Sequence, residues 1–290
     1  MKNWKPEIGT DGIELSQLEI GLKLITTVDS RGWPHITMIS FSKAKTSDEV
    51  VWGQFTEGNS KKNVFENPKQ GVFFMNGAMP FKFLQIKVDF KNVKIGGEDC
   101  EYFSRLPLLR YLTYTNVWRT FHNSIKSASP VRSLGVGGII KGVIANIFGK
   151  GGAKVKNPEE KLTEFGFDLF NGPFNPKFIS YVDNDGYPIV IPCFQIRAPD
   201  RSRLTFTLSQ FKGELEEIPV NTHVSVYGIV AANLELVNQM VNGRFTGFQK
   251  FRGIKFGIIE IDEIYNSMPP LAGVIYPKIQ IKPKIIDFHL

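Results

Sequence analysis

The sequence predicts a mainly β protein made of two copies of one module, and two observations carry that prediction. Short runs rich in β-branched and aromatic residues, separated by turn residues, recur along the chain: 24–28 (LITTV), 35–41 (HITMISF), 50–55 (VVWGQF), 71–75 (GVFFM) and 83–93 (FLQIKVDFKNV). The first hairpin also returns later in the chain. LITTVDSRGWPHITMISF (24–41) and FISYVDNDGYPIVIPCFQ (178–195) share the pairs Val28/Val182, Asp29/Asp183, Gly32/Gly186 and Pro34/Pro188, each 154 residues apart, and Trp33/Tyr187 keeps an aromatic. The same spacing relates Trp52 to Phe206, Asn67 to Asn221, Val72 to Val226 and Phe73 to Tyr227. A register held over about fifty residues marks an internal duplication of two fused domains, since the period is too long for a solenoid.

The composition agrees with an ordered globular chain. Its 290 residues suit two domains of ordinary size, and 42% hydrophobic with 22% charged residues leaves no case for extended disorder. The formal net charge of +7 admits anionic partners, but the basic residues are dispersed and no long Lys/Arg run appears, so nucleic-acid binding is not expected. Cys100 and Cys193 stand far apart without CxxC or Cys/His spacing, which argues against a zinc site or a disulfide framework and for a reducing compartment. The first residues lack the apolar core of a signal peptide, and a cytoplasmic location is the expectation. The glycine-rich stretch 134–155 carries Lys141 and Lys150, a poor pattern for a membrane-spanning helix. A flexible or packed connector, or a membrane-surface contact, are its open alternatives.

Taken in order, Leu15, Leu18 and Leu22 predict a short amphipathic helix over 14–23. The strand 24–28, the turn DSRGWP (29–34) and the strand 35–41 form a hairpin, 50–55 adds a third strand, and a helix over 61–66 follows with Asn59 or Ser60 as N-cap. Asn67-Pro68 ends that helix. Strands at 71–75 and 83–93 complete a first module over 1–99. Residues 100–170 read as a partly helical, glycine-rich insertion and connector, with a helix start at Asn157-Pro158. A second module spans 171–290, with an alternating strand at 257–265 and an extended C-terminal arm.

The stretch TEGNSKKNVFENP (56–68) is where chemistry is expected. It follows a strand and sets Ser60, Lys61 and Lys62 side by side, a hydroxyl and two ammonium groups suited to a phosphate. A solvated turn opening a surface helix fits the same residues. In the second copy the equivalent positions are Glu214, Leu215 and Glu216, which repel a phosphate. Nothing else in the chain suggests a site of stronger type. Gly135-Val136-Gly137-Gly138 lacks GxGxxG spacing between strand and helix, and the four histidines are not clustered, so no metal site is expected. His35 is equally a half-buried strand residue or a ligand contact.

The ordered combination of a hairpin with G-[WY]-P at its turn, H-x-T on the returning strand, T-x-x-x-S-K-K, N-P and the strand Phe83-Leu84-Gln85-Ile86-Lys87-Val88 resembles the pyridoxamine phosphate oxidase-like family of FMN-binding split barrels. The match covers 20–93 well, 178–230 more weakly and 257–268 as a closing strand. The resemblance implies two split-barrel modules with flanking helices, paired as a dimer within one chain, with FMN in the cleft between them. It implies a phosphate clamp at Ser60, Lys61 and Lys62, an upstream Thr56 with Phe55 and Asn59 beside it, a strand along the flavin ring at Thr37, Met38, Ile39 and Ser40, and a further contact at Gln85. Thr37 stands where the true oxidases carry an arginine, Lys61 replaces a second arginine, and the C-terminal Trp and Arg that hold pyridoxamine phosphate have no counterpart. A vitamin B6 oxidase is therefore disfavoured. What remains is an FMN-dependent oxidoreductase or flavin reductase working with a small-molecule or protein electron donor and acceptor. A non-catalytic flavin- or haem-binding carrier or sensor and a deazaflavin-dependent reductase are the alternatives. No catalytic side chain is assigned, and the fused chain is a possible homodimer.

Overall fold

The computed structural model describes residues 3–54, 56–107, 116–230, 237–266 and 273–278. Two antiparallel sheets make up its body. The first contains β1 Gly21–Val28, β2 Pro34–Met38, β3 Ser42–Ala44, β4 Glu49–Gln54, β5 Lys69–Asn76, β6 Lys82–Ile95, β7 Arg119–Ala128 and the short β8 Arg132–Ser133. The second contains β9 Lys177–Val182, β10 Pro188–Pro192, β11 Arg203–Thr207, β12 His223–Val230, β13 Val237–Phe251, β14 Ile254–Asn266 and β15 Gly273–Tyr276.

The strand orders are β2-β1-β5-β6-β7-β4-β3 and β10-β9-β12-β13-β14-β11. With β9 set on β1, the second order repeats the first strand for strand up to β11, which stands for β4. The duplication extends to register. Val28 faces Pro34 and Ile25 faces Val72 in the first sheet; Val182 faces Pro188 and Ile179 faces Val226 in the second. Both hairpin turns close alike, with Gly32 and Gly186 donating to the Asp29 and Asp183 carbonyls at 2.9 and 2.8 Å. Both glycines sit at positive φ, 78° and 83°, where a side chain is strained, so turn geometry requires the two conserved-in-place glycines of the repeat. The chain is a tandem of two modules with one topology.

Each module has its own apolar core. Ile25, Trp52, Val72, Phe74, Leu84 and Phe121 fill the first, and Ile179, Phe206, Val226, Val241, Phe245 and Ile259 fill the second. A third core joins them: Leu24, Ile36, Phe73 and Phe83 of the first module pack with Phe178, Val190, Tyr227 and Met240 of the second. The strands of each module are therefore apolar on both faces, one toward the barrel interior and the other toward the partner module.

Contacts across this junction are reciprocal, as for an isologous pair. Trp33 of the first turn stacks on His223 at 3.9 Å, and its counterpart Tyr187 lies under Lys69 at 5.0 Å; Lys69 and His223 are 154 residues apart. Arg31 reaches Glu263 at 3.0 Å, while Lys87 reaches Asp183 and Asp185 at 3.2 and 2.5 Å. Ser225 Oγ donates to the Pro34 carbonyl. At the counterpart position stands Gly71, where an added Cβ would lie 2.2 Å from the Pro188 carbonyl oxygen. Gly71→Ala is expected to force the modules apart locally and to destabilise the chain by about 2–3 kcal/mol, which a thermal or urea unfolding curve measures.

Four sequence expectations change. The first sheet does not end at 99: β7 pairs with both β6 and β4, so the barrel's closing strand lies within the stretch expected as insertion. The predicted helix over 14–23 is α1 Thr10–Gln17, because Gly21 and Leu22 pair with Asn76 and Met75 of β5, and ladder hydrogen bonds override the helical spacing of the leucines. The helix expected to start at Asn157-Pro158 begins instead at Glu164: the Lys161 and Leu162 amides are held by the Arg201 carbonyl, and Thr163 Oγ1 caps α5 Glu164–Asn171 by accepting from Gly166. The glycine-rich stretch forms α4 Val136–Gly149, packed against the second module, where the sequence showed no helix. Between these lie α2 Asn59–Glu66 and α3 Glu98–Ser104, and α6 Lys212–Glu216 follows in the second module. Most of the expected C-terminal arm and residues 108–115 lie outside the described residues.

Candidate functional site

The candidate site is built where α2 meets the junction of the modules. Strand β4 delivers the chain to Thr56, and α2 begins after Gly58. Gly58 is itself the N-cap, with extended backbone and no side-chain cap, so neither Asn59 nor Ser60 caps the helix as expected. Asn67 ends it, its N–H donating to the Asn63 carbonyl, before Pro68. The buried face is Ser60, Lys61, Asn63 and Val64. Asn63 Nδ2 donates to Thr27 Oγ1 at 2.9 Å and pins the helix to β1.

This orientation separates the two lysines. Lys61 is 7% exposed, whereas Lys62 points to solvent. Burial lowers the Lys61 pKa to about 8; Glu57 pulls it up and Arg119 pushes it down. Among the described residues no hydrogen bond or ion pair reaches its ammonium. Glu57 is engaged by Gln54 at 2.9 Å, and Gln54 in turn accepts from Arg119. Ser60 is 1% exposed and its hydroxyl lies 2.7 Å from Thr37 Oγ1 on β2, joining two of the expected residues directly. A buried cation and two hydroxyls thus gather at a helix N-terminus whose first N–H groups have no intrahelical acceptor, an arrangement suited to an anion.

The second module closes this site. The hydroxyl of Tyr265 on β14 faces the backbone N–H of Asn59, at the start of α2. Tyr265 also meets His35 edge-on, ring centroids 5.0 Å apart. His35 is 5% exposed, and burial lowers its pKa to about 4, so the imidazole is neutral at neutral pH. It is a buried strand residue placed against the site. Tyr265 and Arg119 were not legible as site residues: one belongs to the other module and the other opens a strand hidden in the expected insertion.

The remaining predicted residues divide. Met38 is half-buried against the inter-module core, and Ile39 is buried in the first barrel. Ser40 turns toward a small cleft with Lys23, Lys43 and Tyr102. Thr56 is half-buried. Phe55 lies outside the described residues. Gln85 stands apart: its backbone exchanges hydrogen bonds with Ser129, and both atoms of its buried side-chain amide lack partners among the described residues. Ser129 borders the other cleft, so the structure does not bring Gln85 together with Ser60 and Lys61.

That other cleft lies where the duplication places the counterpart of the α2 site. Residues 211–217 correspond to 57–63, and Ser129 corresponds to Tyr265, since Ile86 faces Ala128 as Val241 faces Ile264. It is a cavity of about 510 Å³ lined by Asn3, Ser129, Pro130, Arg132, Phe211, Glu214 and Glu217. Glu214 replaces Ser60 and pairs with Arg132 at 2.6 Å, and the guanidinium also lies over Phe83 and Phe211. The cation here belongs to the opposite wall and is already neutralised. Two places related by the duplication thus carry opposite charge, Lys61 at one and Glu214 and Glu217 at the other.

Both modules have the split-barrel strand order. The chain is two split barrels in tandem. No protein-family model and no curated protein matches it. Among solved structures it is similar to HupZ of Group A Streptococcus (14% identity, 44% of this chain and 99% of that one, TM-score 0.35), to an FMN-binding protein from Syntrophomonas wolfei (17%, 43% and 83%, 0.32) and to a pyridoxamine 5'-phosphate oxidase-like structure from Lactobacillus delbrueckii (14%, 44% and 98%, 0.33). These are split-barrel proteins of the pyridoxamine phosphate oxidase-like kind, each covering less than half of the tandem split barrel. The fold of the tandem rests on its own strand order and register, and likenesses at these TM-scores carry no argument about its activity.

Proposed function

We propose that this tandem split barrel binds one phosphate-bearing flavin, FMN, per chain, in the cleft between α2 and β14, and works as an oxidoreductase. The observation that carries the proposal is Lys61. A largely buried lysine whose ammonium makes no hydrogen bond or ion pair among the described residues is unfavourable, and a phosphate at the N-terminus of α2 would pair with it beside the hydroxyls of Ser60 and Thr37. When bound, the flavin supplies hydride and electron transfer, and the protein supplies position and electrostatics. Ser60, Thr37 and Lys61 hold the phosphate end, the end of β2 at Thr37 and Met38 runs alongside the ring, and Tyr265 and His35 wall the cleft from the junction. The acidic second cleft supports one cofactor per chain.

Titration of the purified chain with FMN, riboflavin and a phosphate-bearing deazaflavin, followed by absorbance and fluorescence, tests this. Saturation at one FMN per chain, with riboflavin bound at least about a hundredfold more weakly, is the expected result; two or more charge-assisted hydrogen bonds to phosphate account for that ratio. Equal affinity for FMN and riboflavin, or no flavin uptake, sinks the proposal, and preference for the deazaflavin replaces the named cofactor. Turnover with NADH or NADPH then separates an enzyme from a carrier.

A further inference from the structure

Helix α4 is built inside out. Its small residues face the protein: a Cβ on Gly138 would lie 2.2 Å from Gln210 Cγ, on Gly142 2.6 Å from Gln195 Cβ, and on Gly149 2.4 Å from Phe256 Cε2. Asn146, on the same face, donates to the Gly142 and Gln195 carbonyls at 2.8 and 3.0 Å. Most of the large apolar residues face outward, Ile139 alone packing on the inter-module core. Val136, Ile140, Ile144, Ile147 and Phe148 recur at spacings of three and four and form one exposed stripe, with Ile147 71% and Phe148 60% exposed. A surface helix ordinarily presents the reverse pattern. Close packing of glycine against the second module fixes the helix in this orientation, so the exposed stripe follows from how the helix is seated.

The charge on the helix and on the segment that follows it is of one sign. No Asp or Glu occurs from 134 to 158, while Lys141, Lys150, Lys154 and Lys156 do. Lys141, Lys154 and Lys156 are exposed, and Arg252 is fastened to the C-terminal end of the helix through the Phe148 carbonyl at 3.1 Å. Among the described residues no helix is long and apolar enough to cross a membrane. A helix of 14 residues is about 21 Å long, enough to lie in a bilayer interface but not to span it. An apolar stripe on a segment whose own charges are all cationic matches an anionic lipid surface, which takes the side chains at its acyl boundary and the lysines at its headgroups.

We infer that α4 is a membrane-surface docking element that seats the protein on anionic phospholipid through Val136, Ile140, Ile144, Ile147 and Phe148, with Lys141, Lys154 and Lys156 on the headgroups. The ligand class is a bilayer carrying anionic headgroups. A protein partner lacking acidic groups does not match this border, and a second copy of the chain would set lysines against lysines.

Vesicle flotation with the full chain tests the inference, using phosphatidylcholine alone and phosphatidylcholine with about one-third phosphatidylserine. The wild-type chain is expected to float with the anionic vesicles and to bind neutral ones at least about tenfold more weakly, with binding lost on raising salt from about 0.1 to 0.5 M. The double variant I147D/F148D is expected to weaken binding at least about tenfold, and Lys154→Gln with Lys156→Gln roughly fivefold for each charge removed. All four side chains are exposed, so the unfolding midpoint should stay at the wild-type value and report an intact fold. Failure of the wild-type chain to float with anionic vesicles at low salt overturns the inference, as does undiminished flotation of I147D/F148D. A concentration-dependent dimer in sedimentation velocity that the double variant abolishes, without vesicle binding by the wild type, would assign the stripe to self-association and overturn it equally.

Discussion

Lys61→Met raises the unfolding midpoint of the cofactor-free chain and, in the same protein, weakens FMN at least about tenfold. Both effects have one cause. Burial lowers the Lys61 pKa from 10.5 to about 8, a gap worth about 3 kcal/mol against the charged form. Methionine keeps the stem's packing and removes the charge, so the free chain is stabilised by up to that amount. The phosphate then loses its buried cation, and a charge-assisted contact of about 1.5–3 kcal/mol disappears from binding. Such opposition between stability and binding is the signature of a functional charge. Differential scanning fluorimetry without ligand and an FMN titration measure the two halves. A destabilised variant with unchanged FMN affinity would make Lys61 a structural lysine. Lys62→Met, on the exposed side of the same turn, is expected to move either quantity far less.

The largest pH effect is expected at Lys177. It is fully buried at the start of β9, where Nζ donates to the Gly172 and Asn175 carbonyls at 2.6 and 3.0 Å. Burial lowers its pKa to about 6, with Arg197 pushing it further down and Cys193 opposing. Two carbonyl acceptors match the two N–H bonds of a neutral amine. Between about 6 and 10.5 the unfolded chain holds a proton on this residue that the folded chain has released. Stability from this group is therefore fully present above the unfolded pKa. It is lost as pH falls toward about 6, at about 1.4 kcal/mol per pH unit. Urea unfolding at intervals from pH 6.5 to about 9 should show stability rising with pH, and Lys177→Met should flatten that slope by about one proton's worth. An unchanged slope in the variant would mean that Lys177 stays charged when folded.

How much of this was legible in the sequence follows from what each signal depends on. The duplicated hairpin was legible because turn chemistry is local: Asp29, Gly32 and Pro34 recur as Asp183, Gly186 and Pro188, and the structure pairs their strands in one register. The strands β5 and β6 were legible from β-branched and aromatic runs. β7 was not. It pairs with β6 and β4, and its central residues Phe121, Asn123 and Ile125 alternate with polar ones in a stretch that also holds helices. Its place is set by partners remote in sequence. Helix α4 is not legible because glycine is a poor helix former by propensity, yet close packing against Gln210, Gln195 and Phe256 selects glycine there.

The sequence by itself determined the class of the fold, its duplication and the asymmetry of the two clefts, since these depend on residue type and spacing: Ser60 and Lys61 in one copy, Glu214 and Leu215 in the other. Tertiary structure alone decided which way each residue faces and what it meets. Helix α2 turns Lys61 inward and Lys62 outward, although they are neighbours in the chain, because successive helical residues point about 100° apart and Asn63 ties the helix to Thr27. Packing of the modules brings Tyr265 from one copy to Asn59 of the other and leaves Gln85 beside the opposite cleft. These are meetings between residues far apart along the chain, fixed by burial of the shared core.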